Sequence, residues 1–170
     1  RKPEAVKKYG EMLGEDVEFW QFLQYKFFEQ WNKLRIYAND QGIKIIGDIP
    51  IYVALDSADV WVHPELFQLD EENLTPVKVA GVPPDAFSDD GQLWGYPLYD
   101  WDRLEETDFA WWKDRMKSLA RLYDIVRIDH FIGVVEYYSI PYGATDGKTG
   151  EWRKGPGKKL TDAIDTVVGG

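Results

Sequence analysis

The sequence predicts an α/β fold that forms part of a (β/α)8 barrel, the TIM barrel. Two amphipathic helices alternate with two short apolar strands. This order implies parallel strands with helical crossovers, in either an open doubly wound sheet or a closed barrel. The long segment 48–106 leaves the end of the first strand. Because the loops after barrel strands build active sites, this placement favours the barrel and makes the segment a substrate-binding loop.

The first helix and strand lie near the start of the chain. A helix is predicted over 16–39, where apolar residues recur at three- and four-residue spacing. Gly42 is a stop signal after it, and the β-branched, mostly apolar stretch 43–47 predicts a buried strand. The apolar positions of the helix are Phe19, Trp20, Leu23, Phe27, Trp31, Leu34 and Ala38.

The second helix and strand follow the long loop. Thr107 is a favourable N-cap and begins the predicted helix. The next strand is Ile125–Asp129, and the Gly-rich segment 137–157 after it is interpreted as a second ordered loop. The apolar positions of the helix are Phe109, Trp112, Met116, Leu119 and Tyr123.

Two strands are too few for a whole barrel, which needs eight strand–helix units in roughly 250 residues. The chain has 170 residues, lacks an initial Met and has no closing element before Gly169 and Gly170. We therefore expect residues 1–170 to be a fragment of one catalytic barrel domain. An open barrel segment leaves two sheet edges uncovered, so we do not expect the fragment to fold stably alone.

Composition limits the partners. The 30 acidic and 20 basic residues give a formal net charge of −10, which would repel nucleic acid and anionic membranes. No window approaches the ~18 apolar residues of a membrane span. With no Cys and only two His residues, His63 and His130, we expect no zinc site and no cofactor; Asp89 and Asp90 offer at most a structural calcium site. A reducing cytoplasm is the expected location, and the sequence does not define an oligomeric state.

The aromatic content points to a ligand class. Eight Trp, ten Tyr and eight Phe residues exceed what a core of this size usually needs. Aromatic faces stack on the apolar faces of sugar rings, which makes carbohydrate the expected ligand. The alternative is that most of these rings are simply part of the core.

Charged residues cluster at the end of the second strand. Arg127 lies two residues before Asp129, so strand alternation places both side chains on one face. A guanidinium beside a carboxylate favours its ionised form, which a nucleophile attacking an anomeric carbon requires; the alternative is a bracing ion pair. Asp48 follows the first strand and faces the same cavity or caps the strand exit. His130 either donates to a substrate hydroxyl or packs under the loop.

Four blocks of the sequence resemble the 4-α-glucanotransferases, the amylomaltase or disproportionating-enzyme family. The first resembles the family's third barrel strand, the second its substrate-binding loop, the third its nucleophile strand and the fourth the segment before its fifth strand. They span most of the chain in the family's order. The blocks are GDIPIYVA with DSADVW (47–61), GVPPDAFS with GQLWGYPLY (81–99), RIDHF (127–131) and EWRKGPG (151–157).

The resemblance implies retaining transglycosylation of α-1,4-glucans and maltooligosaccharides without a cofactor. Asp129 attacks the anomeric carbon, a glucan–enzyme ester forms, and a sugar 4-hydroxyl replaces water as acceptor. The family's acid/base Glu lies at the end of the following strand and its third carboxylate on a later one, so neither is in this chain. Glu136 and Glu151 do not lie in the acid/base motif and receive no role.

The resemblance also implies binding roles. Arg127 orients the nucleophile, and Trp94 stacks near the acceptor side. Glucose hydroxyls near the cleavage point are bound by His130 and Asp48, and the loop that covers the glucan contains Asp85, Phe87 and Gln92.

Three positions depart from the family. Ala86 stands where Tyr is frequent, which removes a stacking contact and bears on acceptor or chain-length preference. Ile132 stands where Arg is usual, which alters packing near the strand exit. Tyr96 stands where Asn is common, and the sequence offers no interpretation of this change.

Two other functions compete with transfer. A related α-amylase-type retaining hydrolase has the same nucleophile but uses water as acceptor, and only the family match of loop 81–99 argues against it. A non-catalytic glucan-binding module needs exposed Trp and Tyr residues but no Arg–Asp pair on a barrel strand.

Overall fold

The computed structural model of the chain describes residues 2–168; Arg1, Gly169 and Gly170, which include the predicted open end, lie outside it. The chain begins with α1 (Pro3–Met12) and α2 (Gly14–Asp40), followed by β1 (Ile46–Pro50). The predicted helix is confirmed, and it extends slightly beyond 16–39 at both ends. None of the helices within 2–168 is long and apolar enough to cross a bilayer.

The first strand was placed too early by the sequence. It begins at Ile46, not at residue 43, so Asp48 lies inside β1 and does not follow it. The Asn39 amide donates to the Ile43 carbonyl (3.0 Å), and the Asp124 carboxylate accepts from the Ile45 amide (2.8 Å). These bonds hold 43–45 in the turn that leaves α2, because they occupy backbone groups that a longer strand would need.

The segment 48–106 contains secondary structure of its own. Part of it is core: Leu98, Tyr99 and Leu104 are fully buried. Its elements are α3 (Ala58–Val62), a short 3-10 helix (Pro64–Leu66), β2 (Lys78–Val82), β3 (Gln92–Pro97) and α4 (Trp101–Glu106).

The second predicted helix is α5 (Ala110–Leu122), and the second predicted strand is β4 (Ile125–Asp129), with the predicted bounds. The N-cap prediction at Thr107 is wrong. Thr107 is the C-cap of α4, and its hydroxyl donates to the Leu104 carbonyl at 3.1 Å. Asp108 and Phe109 then adopt positive φ, which separates the two helices and leaves the Phe109 ring buried in the core.

The segment 137–157 is more regular than the predicted loop. It contains most of β5 (Glu136–Pro141) and all of β6 (Glu151–Lys154), between α6 (Ile132–Val135) and α7 (Lys158–Val168). These strands have weak local signals because aromatic, Gly and Pro residues interrupt any period-two pattern.

The strands form two sheets. β1 and β4 pair in parallel, with Asp48 opposite Arg127 and Pro50 opposite Asp129. The other four strands form an antiparallel sheet in the order β3-β2-β5-β6, which the sequence did not predict. The parallel pair is what a barrel segment requires, but the barrel is not closed within residues 2–168.

The core lies between α5, α7 and the segment that leads from β1 to α4. Trp112, Leu104 and Leu160 are completely buried in it. The expected apolar face of α2 is not buried, since no residue of Gly14–Asp40 falls in the buried class. α2 is held to α5 by polar contacts instead: the Trp31 indole donates to the Leu122 carbonyl (2.8 Å), and Arg35 donates to the Arg121 carbonyl (2.5 Å).

Candidate active site

One arginine joins two carboxylates at the parallel strand pair. Nη1 of Arg127 donates to both carboxylate oxygens of Asp48 at 2.6 Å, and Nη2 donates to Oδ1 of Asp129 at 2.8 Å. The first contact follows from the strand register, in which Asp48 and Arg127 are direct partners, and the second from strand alternation. The predicted Arg127–Asp129 pair is therefore confirmed, and Asp48 belongs to the same cluster.

The charge of this cluster is fixed by Arg127. Hydrogen bonding to Asp48, together with the charges of Asp48 and Asp129, raises the pKa of Arg127 further above its already high value. A permanent cation is therefore held within 2.8 Å of Asp129. Both Asp48 oxygens already contact Arg127, so any sugar hydroxyl that this residue binds must use its remaining lone pairs.

A cavity of about 240 Å³ lies beside Asp129. Among the residues expected to form the site, it brings together Asp129, His130 and Trp94. Its remaining walls come from residues to which the sequence assigned no role, Tyr52 and Tyr96 among them. Both lie in the blocks that resemble the family. Tyr96 is two residues from Trp94, and in a strand this spacing places two side chains on one face, so the sequence could have indicated Tyr96 as a site residue. The complete lining is Pro50, Ile51, Tyr52, Trp94, Tyr96, Asp129 and His130.

His130 occupies an unusual turn directly after β4. Its φ of 55° is in the left-handed region, which non-glycine residues seldom adopt. Its ring packs edge-on against Trp94, with centroids 4.7 Å apart. Nε2 is buried and has no hydrogen-bond partner among residues 2–168. Such a strained, unsatisfied polar group is costly to the fold and is typical of a ligand-binding position.

The protonation state of His130 follows from its environment. Burial lowers the pKa of His130, and the nearby charge of Asp129 opposes this shift without cancelling it. Because the pKa of His130 lies below its ordinary value of 6.5, the imidazole is neutral at pH 7. A neutral ring has one donor and one acceptor nitrogen, which suits a sugar hydroxyl that can both donate and accept.

Trp94 is fixed from two sides. Its indole nitrogen donates to Oε1 of Gln92 at 2.9 Å, and its ring contacts both His130 and Tyr52. Gln92 thus contacts Trp94 without lining the cavity. The sequence placed Gln92 in the loop that covers the glucan, and the structure places it at the start of β3, behind the indole.

A β-bulge separates the two aromatic residues of β3. Leu93 pairs with Gly81 and Pro97 with Val79, so β3 has four steps where β2 has two. Gly95 lies at the middle of the irregularity with φ of 77°. Bulges redirect side chains and are common beside active sites, which accounts for the position of Trp94 and Tyr96 on the cavity wall.

The other two loop residues expected in the site are not brought to the cavity. Oδ1 of Asp85 accepts from the amides of Phe87 (2.8 Å) and Ser88 (2.9 Å), so this carboxylate stabilises its own turn. The Phe87 side chain is 96% exposed. Ala86 lies in the same exposed turn, so the aromatic residue missing there would belong to the loop surface.

Two further features border the site. Asp90, considered for calcium, is ion-paired with Lys148, and its carbonyl accepts from the Gly147 amide (2.8 Å); both contacts tie the 83–91 turn to the β5–β6 loop. No group of three His, Asp or Glu side chains in the described part of the chain could hold a metal ion. A larger cavity of about 540 Å³ lies between α3 and α5, away from Asp129. We place the site at the smaller cavity because only this one contains the charged strand end.

Known proteins resemble this chain along almost its whole length. A family model described as 4-alpha-glucanotransferase matches residues 1–169. The 4-alpha-glucanotransferase of Clostridium butyricum is 56% identical over 169 residues, and that of Synechocystis sp. is 50% identical; each alignment covers 99% of this chain.

The structural comparison gives the same result. The amylomaltase of Streptococcus agalactiae, solved in complex with acarbose, matches the whole chain with a TM-score of 0.95 and 46% identity. An amylomaltase from Corynebacterium glutamicum, at 23% identity and a TM-score of 0.79, supports the fold alone. The chain spans about a third of the length of its curated relatives: 35% of the Clostridium butyricum protein and 34% of the Synechocystis sp. protein. The chain belongs to the 4-α-glucanotransferase family, the amylomaltases.

Proposed function

We propose that the protein is a 4-α-glucanotransferase that transfers a segment of an α-1,4-glucan to the 4-hydroxyl of another glucan. The observation that carries the proposal is the Arg127–Asp129 pair at the edge of a cavity walled by Trp94 and His130, in a chain of this family. The acarbose bound to the Streptococcus agalactiae amylomaltase supports a saccharide as the ligand.

The proposed reaction is a double displacement with Asp129 as nucleophile. A carboxylate oxygen of Asp129 bonds to the anomeric carbon while the bond to the leaving glucan oxygen breaks, and that oxygen takes a proton from a general acid. The 4-hydroxyl of the acceptor then attacks the same anomeric carbon and gives its proton to the same group, while the bond from this carbon to the Asp129 oxygen breaks and restores the carboxylate. The donor linkage is retained because two inversions occur at one carbon.

The general acid belongs, in this proposal, to the part of the relatives that the chain does not span. Retaining enzymes place the second carboxyl group about 5–5.5 Å from the nucleophile. Asp48 is near, but both of its carboxylate oxygens accept from Nη1 of Arg127, so we do not assign it the proton transfer. We assign Asp48 to holding Arg127 and to sugar hydroxyls.

The binding roles follow from the walls of the cavity. Trp94 offers an apolar face for a sugar ring near the acceptor side. His130 lines the cavity with a neutral ring, whose buried Nε2 has no partner among residues 2–168; we assign this ring to a sugar hydroxyl. Gln92 holds the Trp94 indole, while Asp85 and Phe87 lie in the outer turn, where they contact a glucan only if it extends beyond the cavity.

Hydrolysis is the second candidate, because the same Asp129 nucleophile serves a reaction in which water takes the place of the acceptor hydroxyl; within residues 2–168 the Asp129 side chain is 60% exposed. A binding module without catalysis is less consistent with an Arg–Asp pair on a parallel strand, since binding needs no such pair.

The test is to incubate the full-length protein with maltotriose and to follow glucose and longer maltodextrins over time. A ladder of longer glucans supports transfer. Short sugars without a ladder would show that the reaction is hydrolysis and not transfer. Maltotriose that binds but does not react would favour the binding module.

A further inference from the structure

Tyr96 is an aromatic residue of the cavity wall without a hydrogen-bond or ring partner in the described part of the chain. It is 40% exposed and lines the cavity with Trp94 and Asp129. Its side chain makes no hydrogen bond, ion pair or ring contact with any residue in 2–168. A partly exposed ring without a hydrogen-bond or aromatic partner among these residues is available to pack on a ligand.

The two aromatic walls therefore differ in freedom. Trp94 is held by Gln92, His130 and Tyr52, so its position is set before a ligand arrives. Tyr96 follows after Gly95, and a Cβ at Gly95 would meet nothing within 4 Å. The fixed indole suits the recognition of one ring, and the free phenol suits an adjacent one.

The spacing of the two residues fits two successive sugar rings. Residues i and i+2 of a chain lie at most about 7 Å apart between Cα atoms. A glucan held along β3 would therefore place one ring at Trp94 and a neighbouring ring at Tyr96. The phenol offers a flat apolar face and a hydroxyl, whereas an Asn, which the resemblance implies for this position, would offer hydrogen bonds but no stacking face.

We propose that Tyr96 is a specificity-determining residue that adds a second stacking surface for the acceptor and so favours acceptors of two or more glucose units over glucose itself. The inference rests on the proposed transfer function. It assigns to Tyr96 a gain in acceptor binding and no part in bond cleavage, because its ring lies on the wall and the charged cluster lies on β1 and β4.

The test compares Y96N, Y96F and the unchanged full-length protein in transfer from one donor to labelled glucose or labelled maltotriose. We expect Y96N to raise the KM for maltotriose on the order of threefold to tenfold. The KM for glucose and the kcat should stay within about twofold. Y96F keeps the ring and should therefore retain the ratio of the KM for glucose to the KM for maltotriose that the unchanged protein shows. Melting temperatures confirm that the variants fold.

Two outcomes would overturn the inference. The inference fails if Y96N leaves the ratio of the KM for glucose to the KM for maltotriose unchanged, including when both KM values rise equally. Either result would show that Tyr96 adds no second stacking surface. Loss of the ratio in Y96F would show that the hydroxyl, and not the ring, discriminates. Failure of the proposed function is separate, since it is seen when the unchanged protein makes no longer glucans from maltotriose. If Y96N does not fold, Y96L removes the aromatic face with smaller polar change and replaces it in the same comparison.

Discussion

The antiparallel region and the parallel strand pair differ in how they are covered. Around the antiparallel sheet, α5 and α7, the side chains of Leu98, Leu104 and Trp112 are fully buried. In the parallel pair, by contrast, Ile46 is 60% and Ile125 is 46% exposed. The region that carries the aromatic cavity wall is packed by its own residues. In the parallel pair, the face that bears Asp48, Arg127 and Asp129 is the one left exposed within residues 2–168, while Ile49 on the opposite face is buried in the core.

This difference shows how the two halves of the site are held. The aromatic wall depends on a local core, and the carboxylates depend on strand register and on Arg127. Mutations should therefore separate into those that remove chemistry at the parallel pair and those that remove stability at the antiparallel region.

The largest expected effect is on chemistry. Asp129→Asn in the full-length protein should lower kcat by at least about a thousandfold, because the amide cannot form the ester. Glucan binding should change little, since the walls of the cavity remain. The matched control is Asp162→Asn, which removes a carboxylate on α7 that only contacts Lys158 in an exposed pair. Measured transfer in the Asp129 variant at a tenth of normal would remove Asp129 from the nucleophile role.

The next effect is on stability. Leu104→Ala should destabilise the full-length protein by about 2–5 kcal/mol, because it opens a cavity in the packed region. Leu34→Ala on α2, where Leu34 is exposed within residues 2–168, should cost less than about 1 kcal/mol when no other part of the full-length protein covers that face. Urea unfolding followed by Trp fluorescence gives both values. Equal costs would contradict the contrast between the regions and would mean that other parts of the protein cover α2.

A moderate effect is expected where the two regions meet, at His130 and Trp94. Since burial lowers the pKa of His130, the folded protein binds its proton less readily than the unfolded chain. This group therefore costs no stability above pH 6.5, and it destabilises the fold increasingly as the pH falls below that value. NMR titration should place the midpoint of His130 below 6.5.

The same titration of Trp94→Ala should move the midpoint of His130 back towards 6.5, because water reaches the ring. His63, the second histidine of the sequence, is assigned with a His63→Gln variant. A midpoint that does not respond to the loss of Trp94 would mean that the indole does not shield His130.

The smallest effect is expected at the bulge. Gly95→Ala should cost roughly 1–2 kcal/mol through its positive φ alone, since a Cβ there has free space. Gly143→Ala is the matched control, with positive φ and free space outside the cavity. Thermal unfolding should show similar losses, while only Gly95→Ala should raise the acceptor KM by a few fold. Equal acceptor KM values in the two variants would argue against a role of the bulge in placing Trp94 and Tyr96.

Local pattern predicted the elements whose signals lie within a few residues. The β4 strand has the predicted bounds because apolar and charged residues alternate along it, and the pairing of Arg127 with Asp129 follows from the same alternation. The antiparallel strands were missed because their pairing is non-local and their sequences carry no clear period. The contact of Arg127 with Asp48 depends on strand register, which no local spacing encodes. For the same reason the sequence grouped Asp85 and Phe87 with Trp94, although the turn at 85–88 keeps them away from the cavity.

The shared guanidinium of Arg127 has a consequence for the charge of the site through the proposed cycle. In the resting state one cation faces two anions, so the cluster carries a net charge of −1. When Asp129 becomes an ester it loses its charge, and the remaining Arg127–Asp48 pair is neutral. The covalent intermediate is thus the electrically balanced state, and the surplus negative charge returns only when the acceptor releases Asp129.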